Sequence, residues 1–308
     1  MFIPNTEAER KEMLEKIGLS KIEDLFVDVP KEHRYPELNL PEALTEMEAL
    51  QNLKDFAVAN DSTEDLVCFL GAGAYNHYIP AVVDAMISRG EFLTAYTPYQ
   101  PEVSQGTLQA IFEYQSMICS LTGMAVSNAS HYDGATAAAE ACVLALHNFR
   151  GKRKKFVLSR YLHPHYRQTI KTYFQGYDDI IITGDEAGGD LQSHEDLLDI
   201  VDTDTAIVYV QYPDFLGRIH DFTTFAKKVH ESGALLAVSV NPLSLGLLKS
   251  PAEFDADIIT GEGQSLGIPL SFGGPYLGFF ATKEQFIRKL SGRLVGETVD
   301  VKGNKGYV

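Results

Sequence analysis

Tryptophan is absent from the 308 residues, cysteine occurs three times, and 26 lysines and arginines face 42 aspartates and glutamates. Each scarcity excludes something. The formal charge of −16 produces a field that repels phosphates, which argues against a general nucleic-acid or anionic-membrane binder. Cys68, Cys119 and Cys142 are odd in number and lack C-x-x-C spacing, so reduced thiols in a reducing, cytoplasmic setting are expected. No apolar run reaches the roughly 18 residues of a membrane span. The acidic N-terminus also lacks the charged-then-apolar order of a signal peptide. What remains is an ordinary globular composition, 45% hydrophobic and 22% charged, with a mean hydropathy of −0.09. The length suits one large domain, or one domain with an arm. No internal repeat or low-complexity tract is present.

Residues 6–17 read as a short helix, with Thr6 as N-cap, Glu9 completing a capping box and Gly18 as the stop. Residues 19–40 are irregular, and a second helix is expected over about 41–60, with Leu44, Met47, Leu50 and Leu53 on one stripe. Residues 1–62 therefore form a helical arm with little core of its own, ahead of a large domain over 63–308. Within that domain, short apolar runs alternate with amphipathic stretches. Strands are predicted at Phe156–Ser159, Ile180–Thr183, Ala206–Gln211, Leu235–Val240, Asp257–Thr260 and Tyr276–Ala281. Helices are predicted near 79–89, 104–121, 134–149, 165–174, 193–201, 220–232 and 283–291. Such alternation implies an α/β fold with a mostly parallel, doubly covered sheet. The last strand pair is expected to be antiparallel, because Ser271 to Pro275 offers no crossover helix.

Several stretches carry chemistry-bearing residues. Phe92 to Gly106 holds Pro98 and Pro101, which stiffen a loop presenting Tyr96, Tyr99, Gln100 and Glu102; a buried connecting loop is the plainer alternative. Cys68 to Pro80 is punctuated by Gly71 and Gly73 and carries Tyr75 and His77, but it lacks the rest of a dinucleotide fingerprint. Asn128 to Thr136 opens an alanine-rich helix capped by Ser130 or Asp133; its open first-turn amides have the geometry of a phosphate site, but an acidic Asp133 competes with an anion, so capping alone is an equal alternative. His163-Pro-His165, with no carboxylate at ligand spacing, is a poor zinc signature, so no metal is expected. Together with Ser159, these histidines fit better as binding groups at the edge of the sheet. Gly233 to Leu248 is a buried strand ending at Asn241, and Gly261 to Pro275 is a glycine-rich turn carrying Gln264 and Ser265. Neither has a lysine at its tip.

Three blocks make the pattern specific: A-Y-T-P-Y-Q-P-E-V-S-Q-G (Ala95 to Gly106), S-N-A-S-x-x-D-G-A-T-A-A-A-E-A (Ser127 to Ala141) and G-E-G-Q-S-L-G-I-P-L-S-F-G-G-P-Y-L-G-F (Gly261 to Phe279). Together they resemble the glycine decarboxylase family, the P-protein of the glycine cleavage system, in its N-terminal half or subunit 1 (alpha). The resemblance runs from the arm to the final residues. It implies the large domain of a fold type I, aminotransferase-like enzyme dependent on pyridoxal phosphate. It also implies glycine as substrate, and subunit 2 (beta) and lipoylated H-protein as partners.

Against the family's chemistry, Asn241 stands where fold type I enzymes carry an aspartate for the pyridine nitrogen, and no lysine stands near Gly263 to Ser265. The resemblance thus implies a half that does not itself bind the cofactor covalently. Tyr96, Tyr99, Gln100, Glu102, Tyr75 and His77 would face the partner's site. Ser130, Asp133, His163, Asn241, Gln264 and Ser265 would form a degenerate cofactor pocket. A free-standing enzyme using a displaced Lys249 or Lys283, or a scaffold that only stabilises subunit 2, are the competing readings. The family's subunit continues into a smaller C-terminal domain, so this sequence is expected to be either a truncated piece or a shortened member.

Overall fold

The structure, a computed structural model, describes residues 4–63, 65–94, 96–186 and 193–308. Ala95, the first residue of the tyrosine block, lies outside the described residues. The chain divides into two compact units, 1–66 and 67–308.

In the first unit, α1 (Glu7–Lys16) starts at Thr6 with the expected capping box to Glu9. Helix α2 (Glu46–Val58) starts later than the apolar stripe suggests. Thr45 and Glu48 form a second capping box, and these reciprocal bonds fix the entry, leaving Leu44 outside the helix. Neither helix buries a residue.

The second unit opens with short helices α3 (Ala81–Ile87) and α4 (Gly90–Leu93), the latter taking the first two residues of the tyrosine segment. Helix α5 (Gln105–Thr122) follows and ends in left-handed Gly123. Ser104 holds its N-cap position without a side-chain bond, so the expected cap is absent. The remaining elements are β1 (Val126–Ser127), α6 (Gly134–Asn148), β2 (Lys155–Leu158), α7 (Pro164–Phe174), β3 (Ile181–Thr183), β4 (Thr205–Tyr212), α8 (Thr223–Glu231), β5 (Leu235–Val240), β6 (Ile258–Glu262), β7 (Gly278–Thr282), β8 (Glu297–Val299) and β9 (Lys305–Tyr307). The helices expected at 193–201 and 283–291 are 3-10 turns, Glu195–Ile200 and Glu284–Lys289.

Among the described residues the main sheet runs β1-β7-β6-β5-β4-β2-β3. The pairs from β6 to β3 are parallel, and β7 is antiparallel to both β6 and β1. Successive side chains of a strand point to opposite faces, and both faces here are covered. Val208, Val210, Leu236, Val238 and Ile259 pack in one core with Phe222, Phe225 and Val229. Ile207, Tyr209, Leu235, Ala237 and Ile258 pack in a second core with Ala138, Ala141, Cys142 and Leu144 of α6 and Ile170 of α7. Burial on both sides explains why these strands read as unbroken apolar runs. No helix among the described residues is long and apolar enough to cross a membrane.

Candidate functional site

The carboxyl ends of β4, β5 and β6 open onto a cavity of about 440 Å3, the position where open parallel sheets place ligands. Strand ends supply Gln211, Asp214, Asn241 and Glu262, while Ser239 lines the wall from within β5. The first turn of α7 brings His163 and Tyr166, and the glycine-rich loop closes over with Ala72, Gly73 and Tyr75.

That loop curls through three successive left-handed residues, Gly71 (φ 66°), Ala72 (φ 59°) and Gly73 (φ 92°). The curl, which glycine makes cheap, aims the Ala72 carbonyl at His163 Nε2, 2.7 Å away. His163 Nδ1 accepts the His165 amide at 3.1 Å, and its ring stacks on Tyr166 at 4.8 Å. Burial holds the His163 imidazole below its ordinary value, with the Ala72 carbonyl opposing that shift. Gln264 fastens the same loop from the sheet side. Its Oε1 accepts the Tyr75 amide and its Nε2 donates to the Tyr75 and Ile268 carbonyls.

At the start of α6 the Gly134 and Thr136 amides are bonded to carboxylates, the capping alternative rather than a phosphate site. Asp133, not Ser130, caps the helix, its Oδ1 accepting the Thr136 amide at 2.7 Å. The Gly134 amide donates to Glu262 Oε2 at 2.9 Å, and Glu262 Oε1 accepts the Gln264 and Leu277 amides. Burial pushes the Glu262 carboxyl up, these amide bonds pull it back, and Asp133 adds to the rise. Tyr166 covers the same helix end, and a Cβ on Gly134 would collide with its hydroxyl.

Two carboxylates thus stand where a phosphate's charge would fall, and the position expected for an imine-forming lysine holds Gln264, fully engaged with backbone. Asn241 is uncharged, and its Oδ1 accepts the Leu243 amide. These groups do not fit pyridoxal phosphate.

Of the residues singled out for a degenerate pocket, His163, Asn241 and Ser265 line the cavity, and Gln264 is buried beside it. Asp133 lies behind Glu262, and Ser130 is set apart, its carbonyl beside Gly292. Of the residues expected to face a partner, Tyr75 lines the cavity, and His77 is exposed with its ring 6.0 Å from that of Tyr75. Tyr96 and Tyr99 are 82% and 67% exposed, with Gln100 and Glu102 exposed beside them, so the alternative of a buried connecting loop does not hold. Glu102 lies in a 3-10 turn, Pro101–Val103, with Gln100 at its N-cap, and the Arg293 guanidinium lies over the Tyr99 ring at 5.1 Å.

The alternative lysines are elsewhere. Lys283 follows β7 and is ion-paired to Asp255 and Asp257 at 2.8 Å each, while Lys249 is exposed and off the cavity lining. Sequence reasoning missed Glu262, Gln211 and the cluster of Asp214, Arg218, His194 and His220. The available signal was a polar residue directly after each buried run, as in Tyr212-Pro213-Asp214.

Compared with known proteins, residues 1–308 match the glycine cleavage system P-protein family. The probable glycine dehydrogenase (decarboxylating) subunit 1 of Thermomicrobium roseum is 51% identical over 308 residues, 100% of this chain and 68% of the relative. Among solved structures, glycine decarboxylase (P-protein) of the glycine cleavage system, in inhibitor-bound form, aligns with a TM-score of 0.89 at 46% identity. That alignment covers 100% of this chain and 68% of that one. A sphingosine-1-phosphate lyase of Burkholderia pseudomallei shares the fold at a TM-score of 0.58 and 15% identity, over 91% of this chain and 68% of the lyase.

Proposed function

The chain belongs to the glycine cleavage system P-protein family, and from that premise we propose that it is subunit 1 (alpha) of glycine dehydrogenase (decarboxylating). With subunit 2 it releases CO2 from glycine and passes the aminomethyl group to the lipoyl arm of H-protein. Pyridoxal phosphate, held by subunit 2, supplies the electron sink. The observation that carries this division of labour is Gln264, whose amide clamps the Tyr75 loop at the position expected for an imine-forming lysine. The three cysteines are free, which suits the cytoplasm.

In this reading the chain's contribution is a shaped, polar wall. Tyr96, Tyr99, Gln100 and Glu102 complete the partner's site, with Tyr75 and His77 as further contacts. They orient glycine so that its carboxylate leaves along a productive path, an effect of position rather than of bond-making. The test is reconstitution with subunit 2 and lipoylated H-protein, followed by glycine-dependent CO2 exchange and gel filtration. Tyr96→Phe combined with Glu102→Gln is expected to lower exchange about a hundredfold with the complex intact. Unchanged exchange would leave the chain as a scaffold for subunit 2 and overturn the contact role.

A further inference from the structure

Beside the Asp214 wall of the cavity, a buried imidazole nitrogen has no hydrogen-bond partner among the described residues. His194 is 4% exposed; its Nδ1 lies 3.2 Å from the Ser159 hydroxyl oxygen, and among the described residues its Nε2 makes no hydrogen bond. That Nε2 is 3.7 Å from Asp214 Oδ2, too far for one. His220 Nε2 approaches the same oxygen at 3.3 Å, and one ligand atom from each of the three residues lies within 4.8 Å of the others. The geometry points to a site for a single divalent transition ion of the zinc type, held by His194, Asp214 and His220.

Two imidazoles and a carboxylate are a ligand set zinc accepts, at bond lengths of about 2.0–2.2 Å. Tetrahedral placement then separates ligand atoms by roughly 3.4 Å; the two distances to Asp214 Oδ2, 3.3 and 3.7 Å, bracket that spacing, and the ligand atoms of the two imidazoles lie within 4.8 Å of each other. With His194 Nδ1 protonated and donating to Ser159, the Nε2 lone pair is turned into the cluster, the outer support that metal-bound histidines commonly have. Asp214 Oδ1 is occupied by the Leu216 and Arg218 amides at 2.9 and 3.0 Å, which leaves Oδ2 for the ion. Arg218 competes, since its Nε and an Nη both lie 2.7 Å from Oδ2. Its side chain is 41% exposed and rests over the Tyr161 ring at 3.9 Å, so it can shift without burying new charge. The ion would tie the 214–220 loop to the segment at His194 and so fix the Asp214 wall of the cavity.

The full chain, stripped by chelator dialysis, is titrated with Zn2+ against a chromophoric chelator and with Co2+ by visible absorption. The expected result is one equivalent bound, with Co2+ bands of a tetrahedral nitrogen and oxygen set. His220→Ala, at a half-exposed position, is expected to weaken binding about a hundredfold and remove those bands. Arg218→Ala, which deletes the competing cation, is expected to bind at least as tightly as the parent. Absence of a saturable equivalent, or a His220→Ala chain that binds like the parent, would overturn the site. So would weaker binding by Arg218→Ala.

Discussion

Gly278 shows how a single missing Cβ fixes the geometry beneath the site. Its amide and carbonyl pair with His131 at 3.0 and 2.7 Å, and a Cβ would collide with the Asp133 carbonyl, which is backbone and cannot yield. Gly278→Ala is therefore expected to destabilise the chain by about 3 kcal/mol in urea unfolding. Gly106→Ala, inside α5 with nothing within 4 Å, should instead stabilise by about 0.5–1 kcal/mol. A second residue-scale prediction concerns pH. His230 Nε2 is 2.8 Å from Asp257 Oδ2 and Nδ1 is 3.4 Å from Asp255, while Lys283 pairs with both carboxylates. The bond to Asp257 raises the His230 imidazole above its ordinary 6.5, against partial desolvation and the Lys283 charge. Burial alone would raise the Asp257 carboxyl, but His230, Lys283 and the Leu236 amide outweigh it and hold the group low. A raised imidazole stabilises fully below 6.5 and loses that contribution as pH climbs through the folded value. His230→Gln should therefore cost about 1–2 kcal/mol near pH 6 and progressively less above neutrality, read from unfolding curves across pH. A penalty that grows with pH would contradict the pairing.

At the scale of elements, α5 organises the C-terminal segment through two glutamines. Gln115, buried on the helix, donates to the Val295 carbonyl at 2.9 Å and accepts its amide at 3.0 Å. Gln105 does the same for Tyr307, donating at 2.8 Å to its carbonyl and accepting its amide at 2.8 Å. Each side-chain amide thus acts as one residue of a partner strand. Gln115→Leu fills similar volume but orphans two buried backbone groups, and should cost about 2–4 kcal/mol. Gln115→Ala with an unchanged urea midpoint would show that water replaces the amide. Nothing in the spacing of the helix sequence names Val295 as the partner of Gln115, 180 residues on. The same limit applies to β1, β8 and β9, two- and three-residue strands whose pairing depends on distant chain rather than on local pattern. Amphipathic spacing likewise does not distinguish a 3-10 turn from a short α-helix, which is why the 3-10 turns Glu195–Ile200 and Glu284–Lys289 read as helices over 193–201 and 283–291.

For the whole molecule, the poor fit between pyridoxal phosphate and the groups described around the cavity, Glu262, Asn241 and Gln264, makes one direct prediction. Mixed with pyridoxal phosphate and treated with borohydride, the chain should show no imine absorption band, and mass analysis should find no stoichiometric adduct on any single lysine. An adduct on one residue would mean that the chain binds the cofactor in its own right. The sequence by itself determined the parallel, doubly covered sheet, because burial on both faces writes long apolar runs into β4 and β5. It determined the capping box of α1, which is complete within four residues, and the missing lysine, which is a matter of identity alone. Only the tertiary structure decided what fills the places left free. Glu262 reaches the Gly134 amide across 128 residues, Gln264 clamps Tyr75 across 189, and His194 meets Asp214 and His220 from a separate segment. Such contacts are set by which strand ends become neighbours, and that order follows from packing the entire sheet rather than from any local run of residues.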